Sequence, residues 1–321
     1  MKKVLTVLGL IFCIAAPAHA GDVKVSGAVE LQYRSGNDKH RDKGGDKFAP
    51  EELYLKVSGE LDKGIEGLIK FDGADMNKGG GSHKYLEEAQ IIFKDIAGSP
   101  VTVIAGKDEM PFGQDYEKFL FSSLTHEFEI DKVWGLHGIA KIDGFGSFAA
   151  AVFQRDVSDN ADTGLTESYA AKVKMDKLVK NLSIEASYGK IGKDELVPAE
   201  EDQTGVSVGA KFKVAGLTLH AEQTAIKSYK NTDTADPKVT QVGADYKIKD
   251  VLLKVRHEMI DDSVDVGGKV DGKETQSAAG ISYYITPKAF ITLEYEATTY
   301  DDKVIVKGDE KEALLGAKVK F

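Results

Sequence analysis

The chain has 321 residues, 42% of them hydrophobic and 29% charged, with a formal net charge of −10. Such acidity excludes a nucleic-acid surface, which needs clustered lysine and arginine to hold phosphate. Beyond the first twenty residues no apolar run approaches the roughly eighteen residues of a membrane-spanning helix, so helical spans are excluded too. Residues 1–20 read as a signal peptide. Lys2 and Lys3 form a basic start, Val4 to Ala16 an apolar run too short to cross a bilayer, and Ala18-His19-Ala20 a small-residue cleavage site. The only cysteine, Cys13, falls in this leader, so the mature chain is expected to carry neither disulfide nor thiolate metal site. Loss of Lys2 and Lys3 takes the formal charge from −10 to −12.

From residue 22 onward one unit repeats: about ten residues of alternating apolar and polar side chains, then a turn or loop. The first such strand, 22–34, places Val23, Val25, Val29, Leu31 and Tyr33 on one face and Lys24, Ser26, Glu30, Gln32 and Arg34 on the other. Strands at 51–61 and 65–75 follow, joined by Asp62-Lys63-Gly64. Further strands are expected at about 85–94, 100–107, 132–142, 146–156, 166–175, 181–190, 204–214, 217–227, 239–248, 251–260, 275–286, 289–300 and 310–321. The total is sixteen, uncertain by about two because strand boundaries read from one sequence drift. An even count returns both termini to one side, and short turns alternate with long loops. A chain that alternates throughout points to an all-β fold, a transmembrane antiparallel β-barrel greasy outside and wet inside. One barrel domain is expected over 21–321. Tyr85, Phe93, Tyr188, Tyr246, Tyr283, Phe290, Tyr295, Tyr300 and Phe321, near strand ends, are expected to form aromatic girdles at the two membrane interfaces.

The rhythm fails between Lys107 and Lys132, a connection rich in Phe, Leu and Met that needs a surface to bury against. It is the third long connection, and in a barrel it can fold inward and narrow the lumen. Its Pro111-Phe112-Gly113 stretch, with the alternating last strand ending in Phe321, resembles sixteen-stranded Gram-negative outer-membrane porins. It is most similar to the phosphate-selective porin O/P type. That resemblance implies a water-filled, homotrimeric outer-membrane channel whose terminal strand is read by the barrel-assembly machinery. The sequence lacks the ladder of arginines and lysines that phosphate selectivity would imply.

The third loop carries Asp108, Glu109, Asp115, Glu117, Glu127, Glu129 and Asp131 against Lys107, Lys118 and Lys132, with His126 among them. Fixed carboxylates in a narrow low-dielectric passage attract cations. Asp108, Glu109, Asp115, Glu117, Lys118, His126, Glu127 and Glu129 are therefore the candidate constriction. Arg34, Lys56, Lys70, Lys172, Lys211 and Arg256 are candidate lumen-wall bases, which could pair with the loop acids and anchor the loop instead. Counted over all polar strand faces, wall acids and bases come out near balance. The acidic tips of the external loops, such as Asp261 and Asp301, match no calcium-loop spacing. Histidine spacing fits no metal site, so no cofactor and no metal are expected.

The expected function is passive diffusion of small hydrophilic solutes and ions with weak cation preference, in the outer membrane among lipid and lipopolysaccharide. No catalytic residues are expected. The alternatives are a secreted soluble β-sandwich binding protein and an outer-membrane barrel enzyme.

Overall fold

The computed structural model describes residues 23–36, 47–73, 86–114, 119–120, 123–130, 133–154, 168–193, 201–229, 236–261, 264–265, 268–269, 272–302 and 309–321. Its strands are β1 (Lys24–Gly36), β2 (Lys47–Asp62), β3 (Ile65–Asp72), β4 (Leu86–Phe93), β5 (Val101–Asp108), β6 (Val133–Ile142), β7 (Gly146–Phe153), β8 (Ser168–Met175) and β9 (Leu182–Ile191). They continue as β10 (Gln203–Val214), β11 (Leu217–Lys227), β12 (Lys238–Ile248), β13 (Val251–Asp261), β14 (Val264–Asp265), β15 (Gly268–Lys269), β16 (Gly272–Thr286), β17 (Ala289–Asp302) and β18 (Glu310–Lys320). Sixteen of them form one closed antiparallel barrel in which each strand pairs with its chain neighbours; β14 and β15 make a separate two-stranded hairpin. The strands fall where the alternation places them, and most ends agree to within three residues.

Closure brings the first strand to the last. Val29 pairs with Val319, Leu31 with Ala317 and Tyr33 with Leu315. Beyond the ladder, Phe321 N–H donates to the Gly27 carbonyl at 3.0 Å and Gly27 N–H to the Phe321 carbonyl at 3.2 Å. No barrel edge is then left to face hydrocarbon with unpaired amides. Tight turns set the register. At Ala215-Gly216 both residues have positive φ (46° and 84°), the geometry of a two-residue hairpin loop whose twist matches the strands it joins.

The outward side chains of the strands are mostly apolar and open. Val206, Val208, Leu253, Val255, Ile281, Leu293, Leu315 and Val319 are all exposed, while their inward neighbours Ser207, Lys254, Ser282, Glu294 and Leu314 are buried. A water-soluble sandwich would hide that surface, because soluble monomers rarely expose more than a few hundred Å² of contiguous apolar area. The aromatic girdles are only partly as expected. Phe93, Tyr188, Tyr246, Tyr283, Tyr295 and Phe321 face outward. Phe290 and Tyr300 instead share the inward parity of Thr292 and Glu294. Phe290 stacks on Tyr284 at 5.3 Å, and Tyr300 donates its hydroxyl proton to Glu310 at 3.1 Å. Tyr85 lies outside the described residues. His257 faces outward beside Ser277, Nδ1 to Oγ 2.9 Å.

Val255 lies midway along β13 on this outer face. Val255→Arg is expected to destabilise the barrel by about 2–4 kcal/mol, the depth-dependent cost of a cation facing lipid. Denaturant titration of refolded protein in vesicles, read by heat-modifiable gel mobility, checks this.

Candidate pore constriction

The segment after β5 turns into the barrel because its apolar side chains find an apolar shelf there. Met110, Phe112, Leu124, Phe128 and Ile130 pack with Ala151, Phe153, Ala170, Ile226, Val239 and Ile260, carried by β7, β8 and β11 to β13. Met110 N–H donates to the Ile130 carbonyl at 2.8 Å and ties the two ends of the loop together. Glycines in the wall make room. A Cβ on Gly205 would sit 2.6 Å from Phe112 Cζ, and one on Gly189 would sit 2.9 Å from Ile130 Cδ1. Polar contacts fix the same stretch: Lys172 Nζ donates to the Gly113 carbonyl at 2.6 Å, and Gly113 N–H donates to Ser187 Oγ at 3.0 Å.

The far part of the loop reaches another sector of wall. Phe119 and Leu120 pack on Ala278 and Leu314. Leu120 N–H is held between both Glu294 oxygens, at 3.0 and 2.9 Å, and Glu294 is in turn paired with Lys254 at 2.5 Å. Lys254 and Arg256 lie over the Phe119 ring at 4.9 and 5.1 Å, within cation–π range. In the short 3₁₀ turn Leu124–Phe128, Leu124 N–H donates to Glu258 Oε1 at 3.1 Å, and Arg256 Nε pairs with the other Glu258 oxygen at 2.8 Å. Four wall ions, Lys254, Glu294, Arg256 and Glu258, are thus buried as pairs, and both glutamates also accept from loop amides.

Between the loop and the wall of β1 to β4 a cavity of about 480 Å³ stays open. Among the described residues its lining holds nine carboxylates (Glu30, Glu51, Glu52, Asp72, Glu87, Glu88, Asp108, Glu109, Glu129) against three bases (Arg34, Lys70, Lys318). Two of the bases are bracketed by acids. Lys70 contacts Glu87 at 2.6 Å and Glu88 at 3.5 Å, and Lys318 contacts Glu30 at 3.0 Å and also Glu52. The excess charge is negative, and it is focused in a passage with low-dielectric walls.

A Gram-negative porin family model matches residues 5–303. The chain belongs to the Gram-negative porin family. Among solved structures, the porin is similar to the outer-membrane channel DcaP of Acinetobacter baumannii (TM-score 0.75, 14% identity, covering 95% of this chain and 99% of that one). It is also similar to an anion-selective porin from Comamonas acidovorans (TM-score 0.70, 13% identity, covering 94% and 99%). The trimer form of OmpT from Vibrio cholerae gives a TM-score of 0.66 at 14% identity, covering 94% and 100%. No curated protein matches the chain. Identities this low establish a shared fold. The family assignment makes the protein an outer-membrane channel and a passive one, which sets aside both the soluble sandwich and the barrel enzyme.

The porin distributes its sequence-predicted site residues unevenly. Asp108, Glu109, Glu129, Arg34 and Lys70 line the cavity. Lys56 pairs with Glu88 at 3.0 Å on the same wall. Lys172 anchors the loop and pairs with Glu185 at 3.2 Å, and Arg256 is buried beneath the loop. Lys211 lies opposite His220 in the β10–β11 ladder, outside the cavity lining. Asp115, Glu117 and Lys118 lie outside the described residues, as do the side chains of His126 and Glu127. Glu51, Glu52, Glu87 and Glu88 were not among the sequence candidates. Two irregularities in the ladders place Glu51 and Glu87, and Pro50 was the one sequence signal, since proline inside a strand marks an edge or a bulge.

Phe112 is the largest apolar anchor of the loop's first half. Phe112→Ala is expected to weaken seating of the loop by about 3–5 kcal/mol, the usual cost of truncating a buried phenylalanine. Single-channel recording checks it: the variant should show larger and noisier conductance steps than the parent porin.

Proposed function

We propose that this porin lets small hydrophilic solutes and ions diffuse down their gradients, with a weak preference for cations. The observation that carries the sign is the lining of the open cavity, nine carboxylates to three bases among the described residues. The fold does not set the sign, since an anion-selective porin from Comamonas acidovorans shares it. Charge near the narrow point does, because a fixed negative field raises the local concentration of counter-ions and lowers that of co-ions. The preference is weak because two of the lining bases sit among carboxylates and the passage remains wet.

The same reading includes a homotrimer, supported by the trimer form of the OmpT porin of Vibrio cholerae. It includes export through the periplasm with removal of residues 1–20, supported by the basic start, apolar run and Ala18-His19-Ala20. Outer-membrane lipid and lipopolysaccharide would surround the apolar belt, and the barrel-assembly machinery would engage the last strand ending at Phe321.

Reversal potential across a planar bilayer, with a tenfold KCl gradient as the probe, tests the sign. The expected potential corresponds to a cation-to-anion permeability ratio above one, falling toward one as salt shortens the Debye length from about 10 Å at 0.1 M to about 3 Å at 1 M. A ratio below one overturns the reading.

A further inference from the structure

Strict alternation assigns each strand residue to one face, and on that rule Glu51 and Glu87 belong to the lipid side. Glu52 and Glu88, one position on, belong to the lumen. The ladders break the rule at both places. Between β1 and β2, Glu30 pairs with Glu52 but Leu31 pairs with Pro50, so Glu51 is skipped. Between β3 and β4, Lys70 pairs with Glu88 but Phe71 pairs with Leu86, so Glu87 is skipped. Each is a β-bulge, in which two consecutive residues oppose one and the extra side chain is re-aimed. Both extra carboxylates are turned into the lumen and line the cavity.

They enlarge the local excess of negative charge. By parity alone the wall of this cavity would present Glu30, Glu52, Asp72 and Glu88 against Arg34, Lys70 and Lys318, an excess of one carboxylate. The bulges add two carboxylates and no base. On β4, Lys56 and Lys70 meet Glu88 alone in the parity arrangement, whereas Glu87 takes Lys70 at 2.6 Å and brings that cluster to neutrality. On β2, Lys318 already lies between Glu30 and Glu52, so Glu51 adds to an existing excess. The other two register breaks in the barrel ladders, at Leu61 and Ile285, carry exposed apolar residues and lie beside turns.

We propose that Glu51 and Glu87, turned inward by paired β-bulges, are specificity-determining residues of this pore and make the wall facing the third loop a second cation-selecting surface. This rests on the cation-preferring reading above. A passing cation meets carboxylates on both sides of the cavity, with Glu109 and Glu129 on the loop side and Asp108 at the end of β5. The favoured solutes are therefore small organic and inorganic cations, above all those carrying two positive charges that can face both sides at once.

The test uses the full refolded porin in a planar bilayer, with reversal potentials measured in KCl gradients. The double variant Glu51→Gln/Glu87→Gln is expected to lower the cation-to-anion permeability ratio about twofold at low salt, with the difference shrinking near 1 M, where charge is screened within about 3 Å. The charge-keeping Glu51→Asp/Glu87→Asp should retain the parent ratio. Glu60→Gln/Glu66→Gln removes the same charge from a separate pocket that those residues line with Lys24 and Lys94, and it should change the ratio less. If the double glutamine variant forms no channels, the two single variants carry the comparison. An unchanged ratio in the glutamine variants overturns the inference and leaves the cation-preferring reading standing, as does an equal fall in Glu60→Gln/Glu66→Gln. An anion-preferring parent porin removes both.

Discussion

Hydrocarbon offers a backbone amide no hydrogen bond, and the whole molecule is arranged around that. Each amide left unpaired in lipid would cost several kcal/mol, so the sheet must close. Closure through β1 and β18 obliges the chain to place alternate side chains in lipid and in water along all sixteen strands. The terminal residue takes part, since Phe321 exchanges backbone hydrogen bonds with Gly27 while its ring stays on the outside. An aqueous lumen follows from the strand number, because sixteen strands make a cylinder too wide for side chains to fill.

The third loop makes this wide interior unequal. The apolar shelf on β7, β8 and β11 to β13 exists only to be covered, since Phe153, Val239 and Ile226 would otherwise face water. Covering it uses apolar area, and roughly 25 cal/mol per Å² of buried apolar surface is enough to offset the ordering of a loop residue by a large side chain. The loop thereby takes up one side of the channel and leaves the opposite wall, β1 to β4, as the wet path. Position within the barrel, more than residue type, then decides whether a charge anchors the loop or lines the cavity.

Much of this is legible in the sequence. Period-two alternation over ten-residue stretches fixed sixteen strands and their outward faces, because one face meets lipid and a slip of one residue would invert every side chain. The third loop was legible as a break in that rhythm, and its inward course followed from Phe112, Phe119 and Phe128 needing burial. What was hidden lies in three-dimensional detail. A bulge changes facing without changing composition, so Glu51 and Glu87 read as outward residues until the ladders show them skipped. Phe290 and Tyr300 were misplaced for the opposite reason: they keep strict parity and simply face in, which nearness to a strand end does not reveal. Nor does sequence separate Arg34, at the cavity, from Arg256, beneath the loop, because both are arginines at inward positions.

That last distinction settles how a wall of nearly balanced charge can surround an acidic path. Lys172 is held by Glu185 and the Gly113 carbonyl, Lys254 by Glu294, and Arg256 by Glu258 and the Phe119 ring. Lys254 and Arg256 are also almost fully buried. Charges locked in this way are neutralised at contact distance, and their field at the passage is that of a dipole, which falls away faster than that of a lone ion. The carboxylates around the cavity exceed their bases, so their net charge acts at full range. Holding the loop therefore withdraws cations from the cavity, and the charge left along its lining is negative.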